Sequence, residues 1–171
     1  MTARFQEGEL EFDFAGAVSV VQLDRIKPKP EGMKLVDFVI EEDDRILLVE
    51  VKDPLPARLP QGHRADVAER ERAKIRTKEL INHELVPKAR DSYCFLHLMK
   101  RDRKPMDFVF FSGADRLGIT KELLLNFRDR LASRLRKEAT PEWQRQYVRY
   151  CSVLTQTEWN AHFGGYRVRR G

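Results

Sequence analysis

Asp37, Glu50 and Lys52 are the residues of this chain whose types and spacing could do chemistry together. They lie within Lys34 to Asp53, KLVDFVIEEDDRILLVEVKD, where two runs rich in β-branched and apolar side chains, Leu35 to Ile40 and Ile46 to Val51, flank an acidic turn at Glu42 to Asp44. That pattern predicts a β-hairpin. With Asp43 and Asp44 as a two-residue loop, Glu42 faces Arg45 and Asp37 faces Glu50, whereas a longer loop shifts the register. Two carboxylates about 5 Å apart at an effective dielectric of about 20 repel by roughly 3 kcal/mol, and burial adds a desolvation cost to each. A divalent cation reverses the sign of that interaction, because hard ions such as Mg²⁺ take one or two carboxylates plus water and substrate phosphate oxygens. Lys52 could then orient or deprotonate an attacking water, or neutralise charge on a phosphate in the transition state, and the Val51 carbonyl could be a further ligand. The same side chains could equally form a strand-end salt bridge of Lys52 with Asp37 or Glu50.

Alternation along the two strands puts Val36, Phe38, Ile40, Leu47, Val49 and Val51 on one wholly apolar face that must pack on a core. The other face carries Asp37, Val39, Ile46, Leu48, Glu50 and Lys52, so it too is expected to be covered, with its charges gathered at the open end of the hairpin.

Asp37, twelve residues, then Glu50-Val51-Lys52 on an apolar strand resembles the D…ExK signature of the PD-(D/E)XK nuclease superfamily, the restriction-endonuclease-like fold. More closely, GMKLVDFVIEEDDRILLVEVKD is similar to a set of small, uncharacterised bacterial proteins with a VDF…IEVKD hairpin. The strong likeness covers some 20 residues, and the order of elements extends it over about 120. It implies a core of helix, three strands, helix and strand, one or two Mg²⁺ or Mn²⁺ ions, and hydrolysis of a phosphodiester. By the resemblance, Asp37 and Glu50 are metal ligands and Lys52 is the catalytic lysine. Val36 stands where the family's name has proline, and the further acid usual on a helix before the hairpin could be any of Glu7, Glu9, Glu11, Asp13 or Asp24.

The other elements must place that hairpin. Val18, Val20, Val21 and Leu23 form the apolar part of a strand or helix that ends before Pro28 and Pro30. Asp53-Pro54-Leu55-Pro56 and Pro60 to His63 read as a proline-rich connector, or as a loop that touches substrate. Residues 66 to 83 have helical composition, and Pro87 suits the first turn of a second helix running to about Lys100, with Val86, Ala89, Tyr93, Leu96 and Met99 as its apolar stripe. Near its start, Lys88 and Arg90 are candidates for touching a nucleic-acid backbone, as basic residues on the following helix often do in nuclease folds of this kind. Met106 to Ser112 reads as a further strand, Thr120 as the cap of a helix through about Lys137, and Tyr147 to Leu154 as a last strand between Trp143 and Trp159.

A chain of 171 residues, 42% apolar and 35% charged, is long enough for one substantial core, so a single α/β domain over 1–171 is expected: a mixed central sheet flanked by helices. No apolar run is long enough to cross a bilayer, and MTARFQEGELEFDF lacks a signal-peptide core, so no membrane partner is expected and the default compartment is the cytoplasm. Cys94 and Cys151 are too far apart in sequence for a metal motif and are expected to be reduced and buried, and the four histidines are scattered. The net charge of +5 favours a polyanionic partner: Arg64 to Lys104 holds twelve Lys or Arg against seven Asp or Glu, and three more arginines lie between Arg167 and Arg170. Three functions stay open. The chain could be a Mg²⁺-dependent nuclease on DNA, less readily RNA, and a homodimer if it cuts both strands of a duplex; a nucleic-acid-binding protein that keeps the fold without turnover; or an interaction protein, a component of a defence or mobile-element system, in which the hairpin charges serve a protein interface.

Overall fold

The computed structural model describes residues 4–171. Its centre is a five-stranded mixed sheet in the order β3-β4-β5-β6-β7, formed by Ser19–Gln22, Phe38–Glu41, Ile46–Lys52, Met106–Ser112 and Cys151–Leu154. The first three strands run as an antiparallel meander, and β6 and β7 add in parallel to β5. Parallel addition requires long crossovers, and helices supply them: α1 (Gln61–Arg76) and α2 (Val86–Leu98) join β5 to β6, and α3 (Lys121–Arg136) joins β6 to β7. A smaller antiparallel sheet, β1-β2-β8, combines Arg4–Glu7, Leu10–Phe14 and Tyr166–Arg170, with α4 (Gln156–His162) just before β8.

Each face of the main sheet is covered by a different layer. On one face Val39, Leu48, Phe108 and Phe110 pack with Val86 and Leu96 of α2 and Phe127 and Leu131 of α3. On the other, Phe38, Ile40, Leu47 and Val49 meet Phe12, Phe14, Trp159 and Val168 in an aromatic-rich core. A strand covered on both sides reads as a nearly unbroken apolar run, which is why ILLV and FVFF stand without alternation in β5 and β6.

The hairpin register follows the two-residue loop: Phe38 pairs with Val49, Glu41 with Ile46, and the Glu42 amide donates to the Arg45 carbonyl at 2.9 Å. Strand β4 starts at Phe38 rather than Leu35. The Val36 amide donates to Ser92 Oγ of α2 at 2.9 Å, so the chain is held by the helix there, and Val36 packs on the helix side instead of sharing the face of Phe38 and Ile40.

Elsewhere the structure corrects several expectations. Before the hairpin Val20 and Val21 do lie in a strand, β3, but two further short strands, β1 and β2, precede it. The first helix starts at Gln61, inside the proline-rich segment, and ends at Arg76. Met99 is not part of the α2 stripe: it is 57% exposed, because α2 stops at Leu98 and Lys100 turns the chain with φ 57°. Strand β7 is only Cys151–Leu154, although its pairing to β6 begins earlier through Arg149 and Tyr150, and it is followed by α4 and β8. Both cysteines are free, but Cys94 is exposed on the solvent side of α2, while Cys151 is half-buried and its thiol is pushed up to about 12 by burial. No helix among the described residues is long and apolar enough to cross a membrane.

Candidate active site

Asp37 immediately precedes β4 and Glu50 sits near the end of β5, and both are buried on the helix-facing side of the sheet at 7% and 0% exposure. Backbone contacts fix the approach of Asp37. Its carbonyl accepts from the Leu23 amide at 2.9 Å, and its Oδ2 accepts from the Val51 amide at 2.6 Å. What the structure shows of Val51 at the site is therefore its N–H.

Two lysines serve Glu50. Lys88 Nζ of α2 lies 2.6 Å from Glu50 Oε1, and Lys52 Nζ lies 3.6 Å from the same oxygen. Lys52 is held more closely by Glu84, at 2.7 Å. Glu50 Oε2 is buried and takes no lysine, hydroxyl or backbone donor, and the neighbouring Asp37 carboxyl is within hydrogen-bond reach of Glu50.

The electrostatics follow from burial and neighbours. Burial, then the adjacent Glu50 charge, pushes the Asp37 carboxyl up to about 8, against the pull of Lys88 and the Val51 amide. Burial also raises the Glu50 pKa, which Lys88 and then Lys52 oppose. For Lys52, burial disfavours the ammonium, but the Glu84 hydrogen bond and the Glu50 charge outweigh it and hold the pKa above the ordinary lysine value. Lys52 is thus a cation at neutral pH, suited to offsetting phosphate charge and not to removing a proton. With Asp37 protonated, the charges of Glu50, Glu84, Lys52 and Lys88 cancel.

Neither the pairing of Glu84 with Lys52 nor the position of Lys88 on Glu50 was foreseen from the sequence. Glu84 lies in a π-helical turn, Ile81–Leu85, that leads into α2. Pro87 has no amide hydrogen, so the His83 carbonyl four residues earlier lacks its helical donor; the Lys34 ammonium takes it at 2.7 Å. That contact, together with the Lys34 amide on Asp91 Oδ2 at 2.9 Å and the Val36 amide on Ser92, clamps the segment before Asp37 to the start of α2. The sequence offered Glu84 four residues before Lys88, the spacing of a helical ion pair; in the structure Glu84 binds Lys52 and Lys88 binds Glu50.

Arg90 is not brought to this site. It faces away from Lys88 and pairs with Asp91 and Glu138. Of the five upstream acids, Glu7 is among the charges acting on Asp37, though its carboxylate pairs with Arg25 at 2.9 Å. Glu9 instead accepts from the Ala57 and Arg58 amides at 2.7 and 3.1 Å, and Glu11 pairs with Arg4. Asp13 and Asp24 each keep a buried oxygen without a partner.

Among the described residues, no three His, Cys, Asp or Glu side chains converge as a ready ligand set. The donors that are present nevertheless fit a hard divalent cation: two adjacent buried carboxylates match an ion that takes one or two carboxylates and completes its shell with water and substrate. Compared with protein-family models, with curated proteins and with solved structures, the chain matches none.

Proposed function

We propose that this protein is a divalent-metal-dependent nuclease of the restriction-endonuclease-like class, acting on DNA more readily than RNA, with Asp37, Glu50 and Lys52 at its site. The observation that carries this reading is the pair of adjacent buried carboxylates, Asp37 and Glu50, with the charged Lys52 3.6 Å from Glu50 Oε1. Both carboxylates can be ionised at once in so buried a place only when a further cation joins them. The element order lends support: a three-strand meander, helices and a parallel strand match what the D…ExK resemblance implies, although β1 and β2 stand where that resemblance implies a leading helix.

In this reading Asp37 and Glu50 hold Mg²⁺ or Mn²⁺, which when bound supplies Lewis-acid activation of the phosphodiester. Asp37 gives up its proton to bind the cation, so loading is accompanied by proton release. Lys52, kept as an ammonium and oriented by Glu84, offsets negative charge building on the phosphate oxygens. Lys88 fixes the Glu50 carboxylate from the helix side.

A second reading, binding of nucleic acid without turnover, is favoured by one contact: the Lys88 ammonium already gives Glu50 a positive partner at 2.6 Å. Cleavage of labelled single-stranded DNA, duplex DNA and RNA with Mg²⁺ or Mn²⁺ separates the two, with Lys52→Ala purified in parallel. The nuclease reading expects metal-dependent cutting by the native chain that falls by at least about 100-fold in the variant. Salt-sensitive binding with no cutting by either protein would favour the second reading.

A further inference from the structure

On the flank of α2 away from Lys88 lies a cavity of about 330 Å³. Tyr93 and Cys94 of α2 line it with Trp143 and Tyr147 from the segment before β7, and Arg90 and Arg145 stand at its rim. At 3.6 residues per turn, Arg90 and Cys94 project from the side of the helix roughly opposite Lys88, so this cavity and the carboxylate pair are separate.

Its walls are rings. Trp143 and Tyr147 have centroids 5.7 Å apart, Tyr93 and Tyr147 6.0 Å, and the Arg145 guanidinium lies 5.5 Å from the centre of the Tyr93 ring. Tyr147 is buried, its hydroxyl donating to Glu138 Oε2 at 3.0 Å, whereas Trp143 is 42% exposed and offers its indole to solvent. An apolar slot with an open aromatic wall accepts a planar ring by stacking. The rim decides which ring, because a cationic ligand would meet two guanidinium groups of its own sign, while a ring that carries a phosphate meets the opposite charge.

Both arginines are anchored but half-exposed: Arg145 by the Asp102 carbonyl at 3.0 Å and the Asp102 carboxylate, Arg90 by Asp91 and Glu138 at 3.4 and 3.5 Å. Glu138 is also bound by Arg134 at 3.2 Å, and Arg134 lines a neighbouring groove with Lys78 and Lys137, in which Asp129 is the acid. Guanidinium groups therefore line the way from that groove through Arg134 and Arg90 to the aromatic cavity, each held by an acid yet with its side chain about two-fifths to one-half exposed. Cations that track a backbone beside rings that stack bases are the means by which unpaired nucleic-acid strands are held.

We propose that the Tyr93–Trp143–Tyr147 cavity is a nucleobase subsite, in which an unpaired base of a nucleic-acid strand stacks on Trp143 while Arg90 and Arg145 hold its phosphate. This deepens the nuclease reading, on which it rests for a polynucleotide partner, by naming a single-stranded region as what is bound. A free mononucleotide carries the same chemistry.

Trp159 is fully buried, so ligand quenching of tryptophan fluorescence in the full chain reports on Trp143. Thymidine monophosphate, a short oligothymidylate and a duplex are titrated without metal, so that turnover plays no part. Saturable quenching by the oligothymidylate, with little by the duplex, is expected. Equal quenching by the monophosphate would support the subsite with a free nucleotide as its ligand. In anisotropy with a labelled oligothymidylate, Trp143→Ala should weaken binding by about 5- to 150-fold, Trp143→Phe much less, with unchanged circular-dichroism melts. No quenching by any of the three ligands, or unchanged affinity in Trp143→Ala, would overturn the proposal. Neither result depends on cleavage, so failure here leaves the hairpin site untouched, and an inactive hairpin leaves this test intact.

Discussion

Asp37 keeps its proton up to about pH 8 in the folded chain, whereas an ordinary aspartate loses it near 3.8. Between those values the folded state holds more protons than the unfolded one, so stability is greatest at the acid end and declines as pH rises through the window. Burial sets most of the shift, Glu50 and then Glu7 add to it, and Lys88 and the Val51 amide pull the value down. Asp37→Asn keeps an acceptor for the Val51 amide but has no proton to lose. Urea midpoints between pH 4 and pH 8 should therefore decline less steeply in Asp37→Asn than in the native chain; parallel slopes would show that Asp37 titrates normally. How much of the site was legible at this scale differs residue by residue. The facing of Asp37 and Glu50 could be read from alternation and the Asp43-Asp44 loop, because register in a hairpin is local. The pairing of Lys88 with Glu50 spans 38 residues and two elements, and no local pattern carries it.

At the scale of elements, the helix–strand clamp does the positioning. Pro87 frees the His83 carbonyl for Lys34, and Ser92, fully buried on α2, accepts the Val36 amide. Replacing Ser92 by Ala leaves that amide buried without an acceptor, which costs about 1–3 kcal/mol. We expect Ser92→Ala to lower the unfolding free energy from urea titration by that amount and, because Asp37 follows Val36 directly, to reduce any metal-dependent stabilisation more than a distant substitution of equal cost. Equal losses in both would place the clamp outside the site. The same contact explains why the strand begins three residues later than its apolar run: side-chain type favours extension from Leu35, but the hydrogen bond to α2 takes the backbone out of the ladder.

For the whole molecule, the two sheets are joined both by the aromatic core and by an ion pair. Arg170, in β8, binds Asp53, which follows Lys52 at the end of β5, and both side chains are nearly buried. The chain's last strand thus braces the strand that carries Glu50 and Lys52. Arg170→Ala leaves the Asp53 carboxylate buried and unpaired, a loss of about 3–5 kcal/mol. Thermal and urea unfolding would measure it, and a cost below about 1 kcal/mol would mean that the pair is solvated in solution. Gly113 sits in the same corner: its amide donates to the Lys52 carbonyl at 2.8 Å, and a Cβ there would lie 2.7 Å from Asp53 Oδ1, so a larger residue would displace the Asp53 side chain that Arg170 holds.

By itself the sequence determined what depends on near neighbours: the β4–β5 hairpin and its register, the strand Met106–Ser112, the Thr120 cap of α3, and a mixed sheet flanked by helices. Side-chain alternation, turn residues and capping groups act within a few residues, so they can be read along the chain. Tertiary structure alone decided which basic residue meets Glu50, that Glu84 orients Lys52, that Trp159 is core while Trp143 lines an open cavity, and that β8 closes a second sheet with the N-terminal strands. Those outcomes depend on which surfaces are left to cover one another once the elements exist, and a buried charge takes its partner from whatever helix the packing brings within reach.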